Sequence, residues 1–169
     1  RAGRSGGGVT GAGARPGART RPEFERMVGY LVTALPIRTH LRGDAPFAQL
    51  VAQVDATIRT SLEHQDYPFP MIVRDVAPPR EPGRSPIFQI MFGMERFDSA
   101  DPRGLAATLL NVAGLAIQYR EYTVESVAIT RNRAPFDMTF TIEEFDNQIF
   151  GVVDYRCDLW EDRTIARLI

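Results

Sequence analysis

Lysine is missing from this chain; every one of its 20 basic residues is arginine. That pattern fits a GC-rich coding bias and says little about function. Cysteine occurs once, at Cys157, which excludes an internal disulfide. Neither sign of charge is in excess. A formal net charge of -1 leaves no global field to draw nucleic acid or an anionic membrane. No apolar run is long enough to span a bilayer. The opening Arg1-Ala2-Gly3-Arg4-Ser5-Gly6-Gly7-Gly8 has no apolar stretch of the kind a secretory signal needs. The glycines at 6–8 lack the lysine and following helix of a phosphate-cradling loop. No Ser-x-x-Gly arrangement surrounds Ser85, so no hydrolase elbow is indicated. These absences point to a cytoplasmic protein with no nucleic-acid or membrane partner.

What is present suits one globular domain. Hydrophobic residues make up 44% and charged residues 24% of the 169, enough for a single core. Residues 1–20 stand apart. Gly, Ala and Arg dominate them and Val9 is their one large apolar residue, so the expectation is a disordered tail. A basic nucleic-acid arm would need aromatic residues for stacking, and the segment has none.

The run from Met27 to Arg38 is apolar and partly β-branched, and reads as a buried strand ending near Pro36. Asp44 is placed to cap a helix whose first turn holds Pro46. Phe47, Leu50, Val51, Val54, Ile58 and Leu62 recur at helical spacing, predicting a helix over about 46–63 with one apolar stripe against a core. Pro68 and Pro70 forbid its continuation, and a short second helix follows from about Pro70 to Val76. Pro86 to Phe92 reads as a central strand covered on both faces. Residues 93–114 read as a long connection. Leu115 to Ile129 holds one or two strands, with Ile117, Tyr119, Val124 and Val127 on the inner face. Phe136, Met138, Phe140 and Ile142 alternate with Asp137, Thr139, Thr141 and Glu143. Asp146-Asn147 supplies turn chemistry, and Ile149, Gly151, Val153 and Tyr155 alternate in turn. The pair reads as an antiparallel hairpin with one wet face. Thr164 to Ile169 begins a helix. The order of elements implies an α/β fold, a mixed and largely antiparallel sheet with helices packed on it.

Three stretches resemble motifs of the condensation domains of nonribosomal peptide synthetases, in the family's order. Val28-Gly29-Tyr30-Leu31-Val32-Thr33-Ala34-Leu35-Pro36-Ile37-Arg38 is similar to I-G-x-F-V-N-T-L-P-L-R. His64-Gln65-Asp66-Tyr67-Pro68-Phe69 is similar to H-Q-D-Y-P-F-E. Arg80 to Phe92 is similar to R-D-x-S-R-S-P-L-F-Q-V-M-F. Weaker echoes lie at Arg19–Glu23, at Phe136-Asp137-Met138-Thr139, and at Asp154-Tyr155 with Asp158-Leu159-Trp160 and Thr164-Ile165. The resemblance runs from about residue 18 to 169. It implies residues 21–169 are one chloramphenicol-acetyltransferase-like lobe, the C-terminal of two that flank a channel.

Donor and acceptor peptidyl carrier proteins would bring thioesters on phosphopantetheine arms to opposite mouths of that channel, beside a neighbouring adenylation domain. These arms are substrates, and no cofactor or metal is expected on the lobe itself. The family's H-H-x-x-x-D-G motif belongs to the N-terminal lobe and has no match here. The resemblance therefore implies no catalytic residue in this chain and an isolated fragment that is inactive. The rival is a non-catalytic lobe, a docking or interaction module or an incomplete gene product. Thr33 and Ala34 stand where the family has Asn-Thr, and Pro70 where it has Glu.

The channel and lobe-interface candidates are Thr33, Arg38, His64, Gln65, Asp66, Arg84 and Ser85. Arg38 closes an apolar strand, and a planar guanidinium suits a bidentate carboxylate on the missing N-terminal lobe. His64 reads as a helix-end residue, since a metal would need a third ligand beyond Asp66. His40 reads as solvated and Cys157 as core. Arg84 and Ser85 read as turn formers at the entrance to the central strand.

Overall fold

The structure is a computed structural model. It describes residues 9–12, 22, 26–28, 33–40, 44–96, 111, 113–114, 116–130, 133–145 and 148–169. The chain divides into two compact units, residues 1–91 and 92–169.

In the first unit, β1 (Val9–Ala12) pairs antiparallel with β2 (Leu35–Arg38), Val9 opposite Arg38 and Ala12 opposite Leu35. The strand at 9–12 departs from the expected structureless tail; the rest of residues 1–20 lies outside the described residues. Val9 and Thr10 are β-branched, and a ladder needs only backbone groups, which composition does not reveal. The apolar run after Met27 also behaves differently from its reading. Met27 and Val28 are 44% and 99% exposed, and residues 29–32 lie outside the described set. The strand starts at Leu35 and runs through Pro36, which faces Gly11. Proline is tolerated because β2 has β1 as its only strand neighbour among the described residues, so a missing donor breaks no second ladder. Ile37, in the middle of β2, is 4% exposed.

Helix α1 (Phe47–Glu63) and helix α2 (Phe69–Val76) follow. Pro46 is the N-cap of α1, with φ -58°, and no side chain caps the helix, so Asp44 does not take the capping role. Leu50, Val54, Ile58 and Leu62 form the inner stripe and are half-buried. Phe47 and Val51 are 77% and 50% exposed, so the stripe is narrower than the periodicity suggests. An i, i+4 row places them in line with Asp55 and Arg59, which pair at 2.8 Å in solvent. α2 ends on Ala77, whose N–H donates to Val73 O at 2.9 Å with φ at 44°. Pro78 and Pro79 then prevent any return to helix. A left-handed conformation is costly for an L-residue and free for glycine. Ala77→Gly is expected to stabilise the chain by about 0.5–1 kcal/mol, read as a raised denaturation midpoint; an unchanged or lowered midpoint would contradict this backbone geometry.

The expected strand at 86–92 begins four residues later, as β3 (Ile90–Arg96), which carries the chain from the first unit into the second. Residues 86–88 form a bend instead. Phe88 N–H donates to Pro86 O at 2.8 Å, and Ile87 takes φ 70°. A β-branched residue in that region carries about 1–2 kcal/mol of strain. Phe88, 1% exposed, is the reason it persists: its ring sits 5.3 Å from that of Phe69 at 52°.

In the second unit, β4 (Ala116–Tyr119) and β5 (Tyr122–Glu125) form a tight hairpin, with Arg120 at φ 55° in the turn. Val124 and Val127 are 47% and 76% exposed, so they do not form the expected inner face. The side chains of Ile117 and Tyr119 lie outside what is described. β6 (Met138–Phe145) and β7 (Gln148–Tyr155) pair without a slip from Met138↔Tyr155 to Phe145↔Gln148, and β6 lies between β3 and β7. The hairpin is where the alternation placed it. Its polar face is not wet: Glu143 is 0% exposed, more buried than Met138 at 3%.

Beyond β7 the chain turns at Arg156. Its N–H donates to Asp137 O at 3.1 Å, and its guanidinium meets Asp137 Oδ1 at 3.4 Å and Asp158 Oδ2 at 2.6 Å. That turn projects Cys157, which is exposed, not core. The final helix, α3 (Asp162–Leu168), presents Ile165, 5% exposed. Its first turn is tied to β7 by the Tyr155 hydroxyl, which donates to Asp162 Oδ1 at 2.7 Å.

Candidate functional site

The first unit holds an open cleft of about 720 Å³. Leu35 and Pro36 of β2 and Ile72 of α2 supply apolar wall. Thr60, Ser61 and Glu63 come from the last turn of α1, and His64, Asp66 and Tyr67 from the turn that joins the helices. The Ser61 hydroxyl is committed to Thr57 O at 2.8 Å, and Thr60, Glu63, His64, Asp66 and Tyr67 make up the rest of the polar lining.

Local chemistry forms this turn. α1 stops at Glu63 because Pro68 and Pro70 cannot continue it. His64 is the C-cap, with φ -107°, and its N–H donates to Ser61 O at 3.2 Å. Gln65 N–H reaches Leu62 O at 3.3 Å and Tyr67 N–H reaches His64 O at 3.1 Å. The Tyr67 hydroxyl donates to Asp75 Oδ2, and Arg74 Nε donates to Asp75 Oδ1 at 2.8 Å. The donated phenol, then the guanidinium, hold the Asp75 carboxyl below its ordinary range. Accepting that bond, Asp75 pushes the Tyr67 phenol above its own, helped by slight desolvation and by the negative charge, with Arg74 opposing weakly. The contact is therefore lost as pH falls through the lowered carboxyl value, or rises through the raised phenol value.

A second depression, about 530 Å³, follows the proline-rich loop from Pro78 to Gln89 and includes Arg84 and Ser85. Arg84 Nη1 meets Glu81 Oε2 at 2.7 Å with both side chains largely in solvent, a pair worth little to stability. Gln89 Nε2 donates to Ser85 O at 3.2 Å, and the Ser85 hydroxyl reaches Pro86 O at 3.4 Å. Both residues lie in the loop that leads to β3.

The sequence candidates thus separate. His64 and Asp66 share the first cleft, Gln65 is half-buried in the same turn, and Arg84 and Ser85 sit in the second depression. Thr33 is half-buried just before β2. Arg38 ends β2 exposed and makes no ion pair among the described residues. His40 is exposed, and its carbonyl accepts from Gln53 Nε2 at 3.2 Å. Among the described residues no three His, Cys, Asp or Glu side chains gather as a metal would require, and no helix is long and apolar enough to cross a membrane. The pairing of Tyr67 with Asp75 escapes a reading of the sequence. Tyr67 lies inside the His64–Phe69 motif, but Asp75 carries no signal beyond its place on the outer face of a short helix.

Residues 6–169 match the family described as Condensation domain. The chain belongs to the condensation-domain family. It is 33% identical over 150 residues to a linear gramicidin synthase of Brevibacillus parabrevis, an alignment covering 89% of this chain and 2% of that protein. It is 34% identical over 152 residues to a nonribosomal peptide synthetase of Curvularia clavata, covering 89% and 1%. The chain thus spans a small part of these relatives. Among solved structures, a four-domain nonribosomal peptide synthetase bound to AMP and glycine superposes with TM-score 0.80 at 23% identity, covering 95% of this chain and 12% of that one. The X-domain from teicoplanin biosynthesis superposes with TM-score 0.70 at 25% identity, covering 96% and 34%. These likenesses bear out the expected fold, an α/β lobe of the chloramphenicol-acetyltransferase kind with a mixed sheet and packed helices.

Proposed function

We propose that this chain is the C-terminal lobe of a condensation domain that forms an amide bond between two carrier-bound substrates. The lobe supplies one wall of the channel, and the cleft beneath the His64–Tyr67 turn belongs to that wall. The acceptor amine attacks the donor thioester carbon. The C–S bond then breaks, the donor arm leaves as a free thiol, and the amine proton ends on sulfur. The phosphopantetheine arms enter as substrates. Partners are an N-terminal lobe, donor and acceptor peptidyl carrier proteins and a neighbouring adenylation domain, in a reducing cytoplasm where the thiol arms persist. Membership of the family across residues 6–169 is the observation that supports the reading most.

Arg38 is the proposed link to the other lobe, because it closes β2 with its guanidinium exposed and without an ion pair among the described residues. In the two-lobe domain, breaking a pair buried at the lobe interface would cost about 3–5 kcal/mol. Arg38→Ala is therefore expected to lower both the melting temperature and the rate of amide formation there. Thermal melts and a coupling assay with loaded carriers check this. Unchanged melting with unchanged product removes the proposed link, and a wild-type two-lobe domain that forms no amide removes the function.

A further inference from the structure

We propose that Asp75 is a positioning residue for the cleft, acting through Tyr67; this rests on the channel-wall reading above. Asp75 does not line the cleft. It stands on the last turn of α2 and takes the hydroxyl of Tyr67, which does. Arg74 binds the other carboxylate oxygen at 2.8 Å and so fixes the direction of the acceptor. The backbone of Tyr67 is held by its N–H to His64 O at 3.1 Å, with Pro68 following it. The start of α2 is anchored separately, by Phe69 against Phe88 at 5.3 Å. The phenol is held through the Asp75–Arg74 pair, and at 43% exposure its ring has little packing to keep it against the cleft. Removing the acceptor frees χ1 and χ2 and loosens one edge of the site without touching whatever group does the chemistry.

The effect should fall on binding. In the two-lobe domain, Asp75→Ala is expected to raise KM for one carrier-bound substrate about fivefold and to leave kcat within about twofold. Tyr67→Phe should do the same, the double variant should be no worse than either single, and Asp75→Glu should restore most of the loss. Asp55→Ala, which breaks another solvent-exposed Asp–Arg contact, on α1, should change nothing. Ultraviolet titration of the phenols reads the contact independently of activity: Asp75→Ala should move the ionisation of one tyrosine to lower pH, and Tyr67→Phe should delete that step. An unchanged KM in Asp75→Ala, or losses that add in the double variant, would overturn the positioning role. An unchanged phenol titration would overturn the contact itself. A wild-type domain that forms no amide would defeat the function and the substrate half of this inference, with the titration still deciding the contact.

Discussion

Mixed with loaded donor and acceptor carriers, this chain by itself is expected to form no amide bond, and to form it only when an N-terminal lobe is supplied. The reason is geometric. Aminolysis of a thioester needs the amine held near the carbonyl carbon, and orientation of that kind supplies about 7–11 kcal/mol of barrier lowering. The described clefts are open and lie in one unit. Of the two histidines, His40 is exposed with its carbonyl turned to Gln53, and His64 caps a helix. Neither is paired, among the described residues, with a carboxylate that would orient it as a base. The measurement is dipeptide release, by mass, from the chain alone, the other lobe alone and the mixture. Product from the chain alone at the rate of the mixture would end the half-domain reading and return His40 and His64 as candidate bases.

The largest effect on stability is expected at Phe88. Its ring is 1% exposed and packs on Phe69. Phe88→Ala removes the buried ring and leaves a cavity, a change that costs about 3–5 kcal/mol. It also removes the burial that holds Ile87 at φ 70°. Against a total stability of about 5–15 kcal/mol for a domain, the variant should be close to half-unfolded at modest denaturant. Phe88→Leu, which keeps most of the volume, should lose far less. Urea midpoints for the three proteins decide it. A loss below about 1 kcal/mol in the alanine variant would mean that Phe88 is not the packed centre of its unit.

Periodicity reveals both helices of the first unit and the β6–β7 hairpin, because their patterns are local and repeat. It fails where a neighbour decides. Alternation at Phe136–Glu143 gives the direction of each side chain but not what covers each face, and Glu143 proves to be the most buried of them. The apolar run after Met27 looks like a strand by content, yet Val28 is almost wholly in solvent and the ladder starts at Leu35. The pairing of residues 9–12 with β2 uses backbone groups alone, invisible to a reading of side chains. Cys157 escapes its expected place in the core because its exposure is set by the turn that Arg156 fastens to Asp137, a contact between residues 19 apart. The candidate site follows the same rule. The motif around His64 marks the turn, while the Asp75 that ties it down lies eight residues beyond Tyr67 and is unmarked.

The β6–β7 ladder has a consequence for how the chain reaches this structure. Its partners are close in sequence, joined across residues 146–147, and its open end is shut by Arg156 N–H to Asp137 O. Closing a short loop costs little entropy, and a hairpin forms in about 1–10 μs. The β1–β2 ladder must instead bring Val9 to Arg38 across a much longer loop. The hairpin should therefore form first, as a template in the rate-limiting state, with mutations inside it slowing folding and mutations in β1 mainly speeding unfolding.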